Sequence, residues 1–429
     1  MRNVYLSFLG LGSRKEDGEF RYDVARYSLD GKPSDPTEFV QVAEIQLLGP
    51  KTFDEVIVVA TERSYEQQYP SLESQLKELG VARITRVIIQ EVMSSEGQWQ
   101  WFEEILQHVR QGDRLTVDLT HGYRAIPIVF SAAVNFLQKA RGVQLEGVYY
   151  GAYEKNRDLS PIVDMKDFFV IDEWAEAISR LVEDADARMV ARMGREAPAF
   201  QTRTLSSGEL IASFEQLTDA IRNVDIQNVG QAASKALDCI YEALQDASPM
   251  ERVLLDTIVQ KFSNLATPRE TQPERYDRSY FQNQLEIVRL LLEHKLYMQA
   301  FTAMREMIAS IGLIRNERAR IHSADGRKQR RKGDVFLNML QVDEAKWNFR
   351  GDDPPIVETL KPFYDELKSQ GIVSQVRGIL PDLLKYRNGF DHAWTAHNGA
   401  SPDMAENGLK FLESLKRVVE RLEGSMVLS

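Results

Sequence analysis

The chain has 429 residues, 43% hydrophobic and 27% charged, the balance of a soluble globular protein with room for two or three domains. A formal net charge of −11 argues against a protein that coats duplex nucleic acid through a broad basic face, but leaves open a local cleft for a few nucleotides. Cys239 is the single cysteine, which excludes an intrachain disulfide and a cysteine-rich zinc site and suits a reducing compartment.

The apolar run after Arg2 is cut short by Gly10, Gly12 and Ser13 and by the charges Arg14–Asp17. It reads as a first strand, Val4–Leu9, and not as a secretory leader. No segment approaches the roughly 18 apolar residues of a membrane span, so the sequence predicts a cytoplasmic protein without membrane contact. Asp23–Glu38 is less regular and reads as a hairpin insertion. Val56–Ala60 is apolar and β-branched, as buried parallel strands are. Pro70–Leu79 reads as a helix with Pro70 in its first turn and Gly80 as its stop. Ile84–Ile89 is a further β-rich run, and Trp99–Val109 is amphipathic. Arg114–Leu119 is a strand, Ile126–Ala140 an apolar helix with Pro127 in its first turn, and Val143–Tyr150 another strand. This alternation predicts an α/β domain over residues 1–168, a Rossmann-like, mostly parallel sheet with helices on both faces.

From Asp172 onward, apolar residues recur at helical spacing. The segments are Glu173–Arg195, Ser207–Asn223, Val229–Leu244, Glu251–Phe262, Tyr280–Glu293, Tyr297–Ile314, Pro355–Gln370, Val373–Tyr386 and Pro402–Glu423. Pro381 should kink or split the eighth. Ala266–Asp277 and the charged Arg315–Pro355 read as loops. With no convincing strand, residues 169–429 are expected to be all-α.

Ligands of open α/β sheets bind at the carboxyl ends of strands. Three loops qualify here: Gly10-Leu11-Gly12-Ser13, Thr61-Glu62-Arg63-Ser64, and Thr120-His121-Gly122-Tyr123-Arg124 after Val117-Asp118-Leu119. In the third, Thr120 can reach a hydroxyl or phosphate and His121 offers a donor and an acceptor. Gly122 admits close backbone approach, Arg124 supplies charge, and Asp118 points back to brace the loop. The plainer reading makes Thr120 a helix cap and His121 a surface residue. A dinucleotide fingerprint is disfavoured, because Lys15 stands where its third glycine belongs.

Asp118-Leu119-Thr120-His121-Gly122 resembles the DxTHG signature of CRISPR-associated proteins with a Rossmann-like sensor, the CARF domain. The resemblance covers roughly the first 160 residues. It implies a homodimer whose two sensors form one pocket across a two-fold axis, and a cyclic oligoadenylate ligand, tetra- or hexa-adenylate, made by a type III CRISPR effector. It also implies that the Gly10–Ser13 and Thr120–Gly122 loops face that ligand; Thr61 matches by position alone.

Near the other end runs Tyr386-Arg387-Asn388-Gly389-Phe390-Asp391-His392-Ala393-Trp394. RNA cleavage by its own 2′-hydroxyl needs a base, an acid and positive charge on the phosphorane, and no metal. His392 can move protons near neutral pH, Arg387 carries a permanent fork for phosphate, and Asn388 can orient either. On an unbroken helix a five-residue spacing turns about 140° net. Either Gly389 loosens the turn or the pair is completed by a second subunit. A salt-bridged arginine beside a helix-terminal histidine is the plainer alternative.

Within an all-helical domain, Arg-Asn-x-x-x-His resembles the HEPN ribonucleases, whose dimers share one composite cleft. The order CARF then HEPN is similar to the ancillary ribonucleases of type III CRISPR defence. The resemblance implies a metal-independent endoribonuclease, allosterically activated, acting on single-stranded RNA as a homodimer or a higher oligomer. Arg315, Asn316 and His322 form a looser rival motif, opening a stretch with eight Lys or Arg between Arg315 and Lys332. Spacing and the aromatic flanks select Arg387, Asn388 and His392 as catalytic. The rival then contacts the RNA backbone or is a solvated loop. The alternative function is a non-enzymatic, nucleotide-sensing regulator.

Overall fold

The computed structural model describes all residues except 92–93, 122–125, 196–201, 226–227, 267–273, 322, 392–393, 395–402, 426 and 429. Contacts divide the chain into two compact units, Met1–Asp172 and Glu173–Ser429.

In the first unit the elements run β1 (Asn3–Leu9), β2 (Ser13–Arg14), β3 (Phe20–Arg21), β4 (Tyr27–Leu29), β5 (Lys32–Pro33), α1 (Val40–Leu48), β6 (Glu55–Thr61) and α2 (Glu62–Glu78). There follow β7 (Ile84–Ile89), α3 (Ser95–His108), β8 (Arg114–Asp118), α4 (Ile126–Arg141), β9 (Gln144–Gly151) and β10 (Ser160–Asp164). Eight strands form one sheet in the order β5-β4-β10-β9-β8-β1-β6-β7. The five from β9 to β7 are parallel. β10 runs antiparallel to β9, and the β4–β5 hairpin extends that edge. The hairpin lies within the segment read as an insertion. Its two-residue turn, Asp30-Gly31, has φ of 51° and 77°, the left-handed pair that a tight hairpin requires and Asp-Gly supplies.

Side chains alternate across the sheet as the two-residue period demands. Val4, Leu6 and Phe8 join Trp101 and Ile105 of α3 and Phe130 and Val134 of α4 in one core. Tyr5 and Leu9 pack on the other face, with Ile45 of α1 and Leu72 and Leu76 of α2.

Three local expectations are corrected. α2 starts at Glu62, well before Pro70, because Thr61 and Ser64 form a reciprocal capping box. Pro70 therefore lies inside the helix. α1 and β10 were not anticipated; α1 buries Gln41 and Glu44 along with its apolar residues, so no polar face marks it.

The second unit takes in most of α5 (Lys166–Asp184), then α6 (Arg188–Met193), α7 (Gly208–Arg222), α8 (Val229–Ala243), α9 (Pro249–Phe262) and α10 (Arg278–Glu293). It continues with α11 (Tyr297–Ile311), α12 (Ala324–Gln341), α13 (Asp353–Ser369), α14 (Ile372–Arg377), α15 (Leu380–Asp391) and α16 (Met404–Gly424). Its described residues contain no strand. The single helix expected over Glu173–Arg195 is broken after Asp184, where Ala185 takes a left-handed φ of 49°. The charged segment read as a loop over Arg315–Pro355 contains α12. Pro381 does divide its segment, sitting in the first turn of α15, where a missing N–H costs nothing. α10, α11, α15 and α16 pack as a group. Phe301 of α11 is central: its ring lies 6.1 Å from both Tyr386 and Phe390 of α15 and 5.9 Å from Phe411 of α16.

Candidate functional site

Along the parallel sheet the chain moves one way from β1 through β6 to β7, then returns to the other side of β1 with β8 and β9. β1 and β8 are therefore the strands at which the order reverses, the place where crevices open above α/β sheets. Ser7 pairs in register with Asp118. The Gly10–Ser13 loop and the Asp118–His121 loop thus leave the sheet from neighbouring strands.

Asp118 is fully buried, and its Oδ1 accepts the Thr120 amide at 2.7 Å. Burial pushes its carboxyl up to about 7, opposed by the hydrogen bonds from Thr120. Asp118 braces the loop as its position suggests. The described part of α4 starts at Ile126, and residues 122–125 before it lie outside the described residues. The Thr120 hydroxyl accepts the amide of Gly151, at the end of β9, at 2.7 Å. The ring of His121 lies 4.6 Å from that of Tyr22. Burial lowers His121 to about 4, so at neutral pH it presents one donor and one acceptor nitrogen and no charge. Gly122 and Arg124 lie outside the described residues.

The neighbouring loop is tied down from below. Gln68 of α2 donates through Nε2 to the carbonyls of Leu11, at 3.0 Å, and Phe20, at 2.6 Å. Gly12 has φ of 78°, and a Cβ there would stand 2.7 Å from the Arg21 carbonyl. Glycine is required on both counts. Gly10 and Leu11 are half-buried, while Ser13 is exposed in β2, its hydroxyl donating to the Arg21 carbonyl at 3.3 Å. A cavity of about 190 Å3 opens at the carboxyl ends of β1, β6 and β7, lined by Phe8, Gly10, Leu11, Thr61, Ile89 and Glu91 among others. Thr61 lines it, but its hydroxyl is engaged in the capping box of α2. Tyr22, Gln68 and Gly151 complete this arrangement, and no local pattern singles them out in the sequence.

In the second unit Arg387 sits on α15, half-buried. Its Nη1 pairs with Asp391, one helical turn on, at 2.6 Å and reaches Asn388 Oδ1 at 3.4 Å, while its buried Nε has no partner among the described residues. α15 continues through Gly389 to Asp391, so Gly389 does not loosen the helix. His392 lies outside the described residues. The aromatic flanks are structural anchors. Tyr386 and Phe390 dock on Phe301, and Trp394 packs 5.4 Å from Phe390 and donates its amide to the Gly389 carbonyl at 2.7 Å.

The rival motif is held by its own fold. Arg315 pairs with Glu366 of α13 at 2.6 Å and covers the Phe363 ring at 5.0 Å. Asn316 donates to Gln329 at 3.1 Å. Arg330 pairs with Glu306, and Arg331 with Asp352 and Asp353. Arg318, Arg320 and Lys328 are exposed, and His322 lies outside the described residues. Among the described residues no three His, Cys, Asp or Glu side chains gather as a metal cage, and no helix is long and apolar enough to cross a membrane.

No family model matches the chain. CRISPR-associated protein MJ1674 of Methanocaldococcus jannaschii is 29% identical over 106 residues. The match takes in 21% of this chain and 17% of that protein, so the chain spans about a sixth of its relative's length. Among solved structures, Enterococcus italicus Csm6 bound to cyclic hexa-2′-fluoro-hexa-dAMP aligns with a TM-score of 0.47 at 10% identity, over 99% of this chain and 95% of that one.

Proposed function

We propose that this chain, a CRISPR-associated protein of CARF–HEPN architecture, is a cyclic-oligoadenylate-activated endoribonuclease. The observation that carries the reading is the Asp118-Leu119-Thr120-His121 loop, leaving β8 beside the glycine loop of β1 at the strand-order reversal. In this reading the neutral His121 ring and the Gly10–Ser13 backbone meet adenine edges and ribose. Gly122 and Arg124 complete the contact to phosphate, and a second copy supplies the other half of the pocket.

The helical unit does the cutting. Arg387 stabilises charge on the phosphorane, His392 takes the 2′-proton or returns one to the 5′-oxygen, and Asn388 orients the phosphate. That α15 stays helical to Asp391 supports a pair completed across a homodimer, because a five-residue helical spacing turns its two members apart. The ring shifts the dimer toward the cutting geometry by its differential affinity for the two states. No metal enters the scheme, and the enzyme works on single-stranded RNA in the cytoplasm.

Purified protein incubated with cyclic tetra- or hexa-adenylate, fluorogenic RNA and EDTA tests this. Cleavage should require one of the two rings and vanish in His392→Ala. Ring binding with intact RNA would instead establish the non-enzymatic regulator.

A further inference from the structure

Between the sheet and α1 lies a polar layer that the proposed chemistry does not use. Tyr5 and Ser7 of β1 pair in register with Thr116 and Asp118 of β8, and Asp118 in turn pairs with Tyr149 of β9. Above them α1 contributes Gln41 and Glu44. Tyr5, Ser7, Gln41, Glu44 and Asp118 are each fully buried. The Tyr5 hydroxyl donates to Glu44 Oε2 at 2.6 Å, and the Gln41 amide donates to the Phe8 carbonyl at 3.0 Å. Glu44 Oε1, Asp118 Oδ2, Ser7 Oγ and Gln41 Oε1 have no hydrogen-bond partner among the described residues.

Glu44, held by Tyr5, and Asp118, two register positions along β1 from Tyr5, share this buried layer. Carboxylates accept only, and neither can satisfy the other unless one carries a proton. The groups facing Glu44 are Tyr5 from β1, Asp118 from β8, Tyr149 from β9 and Tyr27 from β4. Tyr22 also faces Asp118. None of these is a cation, and His121, its ring tilted against Tyr22, is neutral. Among the described residues, nothing would compensate a bare charge on either carboxyl.

We propose that Glu44 is a positioning residue of the ligand pocket. Its protonated carboxyl, held by Tyr5, donates to Asp118 and so fixes the carboxylate that orients the Thr120-His121 loop. The bonds Tyr5–Glu44, Asp118–Thr120 and Thr120–Gly151 are in place; the proposed Glu44–Asp118 bond joins them and ties α1 to the ends of β8 and β9. Burial pushes Glu44 well above the usual carboxylate range and Asp118 up to about 7, consistent with one proton held between them. Ring affinity should fall as the pH rises and the proton leaves.

The inference rests on the proposed ligand, so its test has an arm that needs none. Infrared spectra of the full chain at neutral pH should show the carbonyl stretch of a protonated, buried carboxyl, and Glu44→Gln should remove it. Absence of the band, or its persistence in Glu44→Gln, overturns the proposal whether or not any ring binds. In the second arm, cyclic tetra- and hexa-adenylate are titrated by calorimetry across pH 6 to 8.5. Glu44→Gln keeps the donor, so it should bind like the parent protein and lose the pH dependence. Glu44→Ala should bind about tenfold more weakly, the scale of one unmade buried hydrogen bond. Equal binding by Glu44→Ala and the parent protein sinks the proposal. Failure of the parent protein to bind either ring sinks the proposed function instead, and the infrared arm still decides the role of Glu44. If Glu44→Ala does not fold, Glu44→Gln alone decides, through the band and the pH profile.

Discussion

The amide of Gly151 donates to the hydroxyl of Thr120 at 2.7 Å, joining the end of β9 to the loop that follows β8. The approach is tight. A Cβ at Gly151 would stand 2.4 Å from Val40 Cγ2 and 3.3 Å from the Thr120 hydroxyl oxygen. A residue that the motif marks for ligand contact is thereby part of the scaffold, its hydroxyl oxygen accepting from Gly151 while its amide and side chain both hydrogen-bond to Asp118.

Thr120→Val should accordingly damage two properties. It leaves a half-buried amide unpaired at a cost of about 1–3 kcal/mol, read as a lowered denaturant midpoint. It should also abolish ring binding in a filter or calorimetric assay. Unchanged stability would mean that the Gly151 amide finds another acceptor.

Gly12→Ala forces a left-handed residue against the Arg21 backbone. The strain is on the order of 1–3 kcal/mol, and the loop should shift away from β3. Ring affinity is expected to fall more than the midpoint does, because the displaced backbone faces the pocket.

Two groups in the first unit should contribute opposed slopes to the pH profile of stability. The folded value of His121, about 4, is below its ordinary 6.5. Its contribution is complete above 6.5 and lost as the pH falls toward 4. Asp118 is the reverse: its folded value of about 7 exceeds the ordinary 3.8. Its contribution is complete at acid pH and lost as the pH rises through 7. The two windows overlap between pH 4 and 6.5, so the slopes largely offset in the parent protein. Over that range the denaturant midpoint should fall with rising pH in His121→Phe and rise in Asp118→Asn.

Arg387→Ala and Arg315→Ala separate the two basic motifs. The first should lower ring-stimulated cleavage by roughly a hundredfold or more, the scale of removing one donor to a developing anion, without moving the melting temperature. The second loses an exposed ion pair and a cation–π contact, about 1 kcal/mol together, and should cut RNA normally. Normal cleavage by Arg387→Ala would reject its catalytic assignment.

The parallel strands were legible because burial on both faces leaves a continuous β-branched run, as in Val56–Ala60. The hairpin was read only as an irregular insertion over Asp23–Glu38; its turn at Asp30-Gly31 comes from the structure. α1 was not, since Gln41 and Glu44 are buried among apolar neighbours and erase the polar stripe that periodicity detects. α2 was read late because Pro70 suggested a start, whereas the capping chemistry lay upstream at Thr61 and Ser64. α12 was read as loop because its charges outnumber its apolar residues; Glu306 and Asp353 satisfy several of them from other elements. For the site, the motif loop was visible as residue types, while Tyr22, Gln68 and Gly151 reach it only through the folded chain.

The Arg387–Asp391 pair has a consequence for how RNA would be held. The guanidinium already has an anion beside it, half-exposed and one turn away, bound with little net energy. A phosphate arriving there exchanges with a carboxylate of the same chain and does not shed a mobile counterion. That contact would add little to the salt dependence that ordinarily marks phosphate binding. Asp391→Asn should steepen it, turning an internal exchange into a release to solution.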